Sequence, residues 1–244
     1  MRIDSFLFEN GYFESREKAK KAIEEMRVCV NGITVKKASF DVTENDEILV
    51  APSDKTEYVG RGGLKLEYAL DNFRIDVKGK RAIDIGASTG GFTDCLLKRG
   101  AMKVYAVDIG HGQLHQSLID DERVINLEGV NAREMTVSLV EDVPCEIAVS
   151  DLSFISQKLV IPVARNVLAV GGIYVILIKP QFEAGREHLN RNGIVKNEKI
   201  RLKTVSDIIG FTKECGYEFV GSCTSPIEGG SGNTEYLAVF RRVM

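Results

Sequence analysis

The chain has 244 residues, of which 44% are hydrophobic and 27% charged, enough apolar material for one large domain or for a small and a medium one. No stretch approaches the roughly 18 consecutive apolar residues of a membrane span, and Met1-Arg2-Ile3-Asp4-Ser5 has neither the apolar core nor the cleavage site of a signal peptide. A formal net charge of -3 gives no overall argument for nucleic acid, so any such partner has to be read from local sequence.

The first 50 residues form a self-contained unit. Ile3, Phe6, Leu7 and Phe8 open a short amphipathic helix that Asn10-Gly11 stops. Ser15 is a good N-cap for a second helix, with Ala19, Ala22, Ile23 and Met26 on one face. Val28-Cys29-Val30 and Ile33-Thr34-Val35 flank Asn31-Gly32, a strong hairpin signal. A strand from Glu47 to Val50 closes the unit, giving a domain over residues 1–51. Residues 52–63, with Pro52, Gly60, Gly62 and Gly63, read as a linker.

A second domain, residues 64–244, opens with a helix from Leu64 to Phe73. Strand and helix then alternate. The expected strands are Arg81–Gly86, Lys103–Asp108, Arg123–Glu128, Glu146–Ser150, Ile173–Ile178, Tyr217–Thr224 and Glu235–Arg241. The expected helices include Gly91–Arg99, Gln157–Leu168 and Lys196–Cys215. Such alternation implies an α/β fold, a mostly parallel sheet covered on both faces. No helical segment separates the final two strands, so the last strand is expected to be antiparallel.

Charge is unevenly spread. Arg16 to Lys37 holds seven Lys/Arg against three acids, and Lys179 to Lys203 again seven against three. These are either two phosphate-contacting surfaces or two solvated helix faces. The five cysteines, Cys29, Cys95, Cys145, Cys215 and Cys223, have no CxxC spacing. They read as reduced thiols, which points to the cytoplasm and away from structural zinc. His111 and His115 are four apart, but glycines flank His111 and no third ligand is evident, so no metal is expected.

The stretch Ala82 to Thr93 carries the most chemistry. A strand ends in a turn with Gly86, Ser88, Thr89, Gly90 and Gly91, and a helix begins through Phe92 and Thr93. Neither the phosphate-binding GxxxxGK[ST] pattern nor the dinucleotide GxGxxG is present. Asp84, two residues before the first glycine, suits a cationic group such as the amino group of a methionine moiety. Asp108, at the end of the next strand, stands where an acid accepts hydrogen bonds from ribose hydroxyls. An adenosine cofactor with an ammonium and no phosphate fits this pattern, and S-adenosylmethionine is such a molecule. Asp151 and Lys179 each end an apolar strand at the same carboxyl edge.

Residues 81–95, Asp151-Leu152-Ser153-Phe154-Ile155-Ser156 and Leu177-Ile178-Lys179-Pro180-Gln181-Phe182-Glu183 resemble the TlyA-type (hemolysin A) family. These are ribosomal RNA 2′-O-methyltransferases with an FtsJ-like catalytic domain. Tyr58 to Leu66 is similar too, with Gly60 where the family has Ser. Arg2-Ile3-Asp4, Ser15-Arg16-Glu17-Lys18-Ala19 and Val28-Cys29-Val30-Asn31-Gly32 resemble the alpha-L (S4-like) RNA-binding domain of a small-subunit ribosomal protein and of pseudouridine synthases.

The resemblance implies a Rossmann-like methyltransferase domain behind a small α+β RNA-binding domain. It also implies a Lys-Asp-Lys-Glu catalytic set, which falls on Lys65, Asp151, Lys179 and Glu235. Glu235 rests on Gly232-Asn233-Thr234-Glu235-Tyr236 alone. The expected cofactor residues are Asp84, Gly86, Ser88, Thr89, Gly90, Gly91, Phe92, Thr93, Asp108 and Asp151. The candidate RNA contacts are Arg2, Ser15, Arg16, Lys20, Lys21, Arg27, Asn31 and Arg61. The implied substrate is a cytidine ribose in large-subunit, and also small-subunit, ribosomal RNA, naked or in a subunit. No membrane or stable protein partner is implied. The rival readings are a ribosome-assembly factor without catalysis, a membrane-active hemolysin and an NAD-dependent dehydrogenase. The intact set, the lack of any span and the glycine spacing argue against them in turn.

Overall fold

A computed structural model of the protein describes residues 1–13, 15–24, 28–31, 33–43, 46, 48–50, 58–229 and 232–244. It forms two compact units, Met1–Thr56 and Glu57–Met244.

In the first unit, α1 (Ile3–Glu9) and α2 (Arg16–Glu24) accompany a three-stranded sheet of order β2-β1-β3. The strands are β1 (Val28–Val30), β2 (Ile33–Thr34) and β3 (Ile48–Val50), all pairs antiparallel. Ile3, Leu7, Ala19, Ala22, Ile23, Val28 and Val30 are among the core residues; of the apolar residues expected on the first helix, Phe6 packs against this core while Phe8 is exposed. Asn10 ends α1, its side-chain amide donating to the Phe6 carbonyl at 2.9 Å. Val30 pairs with Ile33, which leaves a two-residue turn. Asn31 enters it at φ +50, the left-handed conformation a tight hairpin requires. Met26, Arg27, Gly32, Glu47 and residues 51–57, the last covering the first half of the expected linker, lie outside the described residues.

The second unit is built on a seven-stranded sheet of order β6-β5-β4-β7-β8-β10-β9. Its strands are β4 (Arg81–Ile85), β5 (Lys103–Asp108), β6 (Val124–Glu128), β7 (Cys145–Ser150), β8 (Leu168–Ile178), β9 (Tyr217–Thr224) and β10 (Tyr236–Arg242). The pairs among β4, β5, β6, β7 and β8 are parallel, and β10 inserts antiparallel to both β8 and β9. The order reverses at β4/β7, and the carboxyl ends on either side of such a switch point leave a crevice for ligands. On one face α3 (Gly62–Asn72) and α4 (Gly91–Lys98) cover Leu66, Leu96, Val104, Val175 and Val239. α5 (Gln116–Ile119) adds Leu118 to that layer. On the other, α6 (Ile161–Ala164) and α8 (Glu198–Glu214) cover Ile83, Tyr105, Ile176 and Phe240. The short α7 (Pro180–Glu183) follows β8 directly.

One expected helix is broken. Gln157–Leu168 becomes a 3-10 turn at Gln157–Leu159, then α6, and Leu168 already opens β8. Pro162 sits in the first turn of α6. It and the β-branched Val160, Ile161 and Val163 make a long helix costly. β8 is correspondingly longer than the expected Ile173–Ile178. The helix expected at Leu64 begins two residues earlier, at Gly62.

Candidate active site

The glycine turn is shaped by what lies against it. Gly86 has φ +87, and a Cβ there would come 2.7 Å from the Asp151 carbonyl oxygen; both conformation and space demand glycine. The Gly86 and Ala87 amides donate to the Val107 carbonyl at 2.8 and 3.0 Å, fastening the turn to β5. The Asp108 carboxylate accepts the Ser88 amide at 2.8 Å and the Gly110 amide at 2.7 Å. This one side chain therefore ties together the two loops above the sheet.

Two cavities meet at this edge. The larger, about 510 Å³, is lined by Asp108, Ile109, Asn131, Arg133, Leu152 and Phe154, among others. The smaller, about 190 Å³, is lined by Gly60, Arg61, Gly62, Thr89, Gly91, Phe92 and Lys179. Gly86, Ser88, Asp151 and Ser153 border both. Residues 58–61, expected to belong to a linker, are folded into this unit. Tyr58 is buried and donates to Glu67 at 2.8 Å, and the Val59 amide donates to Asp94 at 2.8 Å.

Three of the expected cofactor residues stand behind these walls. Asp84 is completely buried, and its Oδ2 accepts the Thr93 hydroxyl at 2.7 Å. It was expected to face an ammonium; instead it braces the start of α4 beneath the loop. Burial pushes its carboxyl up to about 7, against the Thr93 hydrogen bond and with help from the charge of Asp151. Its Oδ1 has no hydrogen-bond partner among the described residues. Gly90 and Thr93 likewise border neither cavity.

The four residues matched to the catalytic set come to one sheet edge as two ion pairs. Lys179, directly after β8, lies 2.5 Å from Asp151, directly after β7, and donates to the Ser153 hydroxyl at 2.9 Å. Lys65, in the first half of α3, donates to Glu235 at 2.6 Å, with both side chains buried. Tyr236 on β10 pairs with Ile178 on β8, so Glu235 comes alongside Lys179. A polar clip holds the loop after β7 to α7. Glu183 accepts the Ser156 hydroxyl and the Gln157 amide, each at 2.6 Å. Burial raises the Glu183 carboxyl above its ordinary range, against those hydrogen bonds. Gln157 then bridges Ser150 and the Leu177 carbonyl, both at 3.1 Å.

Sequence reasoning missed Ser153, Asn131, Arg133 and Gln181 as site residues. Ser153 and Gln181 lie inside the motifs already singled out, and proximity to Asp151 and Lys179 was the available signal. Asn131 and Arg133 follow β6 at the same carboxyl edge. That position, rather than any motif, could have found them.

In the first unit, the candidate RNA contacts Arg2 and Arg16 converge on Asp4. Arg2 donates to it at 3.0 and 3.2 Å and Arg16 at 2.9 Å. Burial alone would push the Asp4 carboxyl up, but the two guanidinium groups outweigh it and hold it at about 2. Lys20 and Lys21 are exposed on α2. Asn31 donates to Asp46 at 2.8 Å. Tyr12 is exposed, whereas Phe13 packs against the core.

Residues 58–242 match the family model described as FtsJ-like methyltransferase, and residues 1–48 match the S4 domain. The chain belongs to the FtsJ-like methyltransferase family. Hemolysin A of Brachyspira hyodysenteriae is 43% identical over 98% of this chain and 99% of its own length. The Mycobacterium tuberculosis 16S/23S rRNA (cytidine-2′-O)-methyltransferase TlyA is 38% identical over 98% of this chain and 89% of its own. A solved Streptococcus thermophilus structure described as a hemolysin superposes with a TM-score of 0.79 at 40% identity, covering 100% of this chain and 88% of that one.

For this FtsJ-like methyltransferase the residues present fit S-adenosylmethionine. The Gly86 cradle would be filled by any side chain, Asp108 stands at the β5 end, and the larger cavity continues into the one that holds Lys179. Among the described residues, no group of three His, Cys, Asp or Glu side chains is arranged to hold a metal ion. None of their helices is long and apolar enough to cross a membrane.

Proposed function

We propose that the chain transfers a methyl group from S-adenosylmethionine to the 2′-hydroxyl of a cytidine in ribosomal RNA, in the large subunit and also in the small. The observation that carries this reading is the Lys179–Asp151 pair lining the glycine-loop cavity, with the buried Lys65–Glu235 pair at the same sheet edge. The name of the Mycobacterium relative supports the acceptor. The S4 match supports RNA as partner. On this reading the protein works in the cytoplasm, on RNA or assembled subunits, with no stable protein partner.

The cofactor supplies an electrophilic methyl group on a sulfonium. The protein's task is to hold a weakly nucleophilic hydroxyl in line with it and to accommodate the charge that develops on oxygen. Lys179 borders the smaller cavity; as a base it takes the proton that the 2′-hydroxyl loses on attack, and its ammonium then meets the charge on oxygen. Asp151 and Ser153 hold the Lys179 ammonium in place from one side. Lys65 contributes the second positive charge and orients the ribose. Glu235 keeps Lys65 from being an unpaired buried cation, which would be strongly unfavourable. Asp108 accepts hydrogen bonds from the cofactor's ribose, and Arg61, exposed at the mouth of the smaller cavity, meets the RNA backbone.

The test is transfer of labelled methyl from S-adenosylmethionine to purified bacterial ribosomal subunits, with wild type beside Lys179→Ala. The expected result is incorporation by wild type and a loss of roughly a hundredfold or more in the variant, with cofactor binding retained. A wild type that binds the cofactor yet labels neither subunit nor free ribosomal RNA would leave an RNA-binding factor without catalysis.

A further inference from the structure

The two ion pairs could be assembled in another way. Two lysines and two carboxylates share one sheet edge, and the β8–β10 register sets Glu235 next to Lys179. Yet Lys179 is bonded to Asp151 and Ser153, and Glu235 to Lys65. Something must hold Glu235 to the second lysine and away from the first.

Gln181 is the side chain in position to do so. It lies two residues after Lys179 on α7, and its amide nitrogen donates to Glu235 Oε1 at 3.4 Å. That is the carboxylate oxygen not taken by Lys65. The bond is long and weak beside the 2.6 Å contact of Lys65 with Oε2, so it occupies Oε1 without drawing the carboxylate off its lysine. The other side of Oε1 is closed by backbone. A Cβ at Gly229 would come 2.3 Å from this oxygen, so glycine alone leaves room for it there.

The amide itself is only half satisfied. Gln181 Oε1 is buried and has no hydrogen-bond partner among the described residues. An unpaired buried acceptor carries a free-energy cost that a methionine of similar length would avoid. Packing therefore does not account for glutamine at this position. A neutral donor that caps Oε1 without adding charge does.

We infer that Gln181 is a positioning residue for methyl transfer, which caps Glu235 so that Lys179 stays with Asp151 and remains available to the acceptor hydroxyl. The inference rests on the catalytic roles given to Lys65, Asp151, Lys179 and Glu235 above. Without the cap, the bare Oε1 competes for Lys179. With a carboxylate in place of the amide, a third negative charge joins Asp151 and Glu235 around Lys65 and Lys179, and both ammonium groups become harder to discharge.

The experiment compares wild type, Gln181→Met and Gln181→Glu in single-turnover methyl transfer to ribosomal subunits from pH 6 to 9, with S-adenosylmethionine affinity measured by calorimetry. Gln181→Met is expected to lower the rate roughly tenfold or more, with cofactor Kd and RNA half-saturation within about threefold of wild type. Gln181→Glu is expected to move the acidic limb of the rate profile to higher pH, by about one unit. Gln181→Met adds no charge, yet it should move the same limb in the same direction because the uncovered Glu235 Oε1 then faces Lys179; a merely structural glutamine would leave that variant's limb in place. If both variants match wild type, or if both lose rate with the pH profile unmoved, the inference is overturned while the catalytic reading stands. A wild type without activity would remove both.

Discussion

At the scale of single residues, the site is governed by the cost of burying charge. Lys65 and Glu235 are almost wholly out of solvent. Removing one partner leaves a bare charge, whereas removing both does not. Glu235→Leu is therefore expected to lower unfolding free energy by about 3–5 kcal/mol. The double variant Lys65→Met/Glu235→Leu should recover most of that loss in urea unfolding. Strictly additive losses would show that the pair is not coupled. Asp84 gives a second case, with a pH dependence whose sign follows from its direction of shift. Its folded carboxyl is raised from 3.8 to about 7, so its contribution is fully present below 3.8 and is lost as pH rises through 7. Asp84→Asn lacks this loss. Its stability relative to wild type should grow by roughly 1.4 kcal/mol between pH 6 and 8, read as a widening gap in thermal midpoints. A gap that is flat across that range would mean that Asp84 titrates elsewhere.

At the scale of elements, the β4–turn–α4 unit sets the position of everything above the sheet. Gly86→Ala would force a Cβ onto the Asp151 carbonyl in a left-handed backbone. It should weaken S-adenosylmethionine binding by roughly tenfold or more, from about 1–3 kcal/mol of strain. Unchanged affinity by calorimetry would show that the turn yields freely. This unit was legible because a strand, a glycine turn and a helix start each have a local signal. The role of Asp84 was not, because nothing local distinguishes a carboxylate that faces a ligand from one that braces a helix. Only the burial produced by α4 decides that. The break at Gln157–Leu168 escaped for a related reason. Its apolar residues satisfy a helical pattern, but β7 pairs Cys145 with Leu168, and that long-range pairing claims the segment's end for the sheet. Lys179 and Asp151 were readable as strand-end residues. Ser153, which accepts from Lys179, and Gln181, which donates to Glu235, depend on how two loops fold back, which no periodicity records.

At the scale of the whole molecule, an S4 unit and an FtsJ-like methyltransferase unit share one chain. The front unit's hairpin, the Asn10 end of its first helix and most of its apolar core were visible in sequence. The Arg2–Asp4–Arg16 cluster was not, since its buried acid bonds an arginine twelve positions further on. Asp4 aligns both guanidinium groups while cancelling only one of their two charges. Arg2→Ala/Arg16→Ala should weaken RNA binding about equally across sequences and shallow the salt dependence, by about one unit of log–log slope per lost phosphate contact. An unchanged slope would take these arginines out of the RNA interface. The account as a whole rests on the acceptor atom. Ribosomal RNA treated with the protein and S-adenosylmethionine, digested to nucleosides and separated by mass spectrometry, identifies it directly. The account predicts 2′-O-methylcytidine that is absent from untreated RNA and from RNA treated with Lys179→Ala. A base-methylated nucleoside, or no new nucleoside from an enzyme that binds the cofactor, would contradict it.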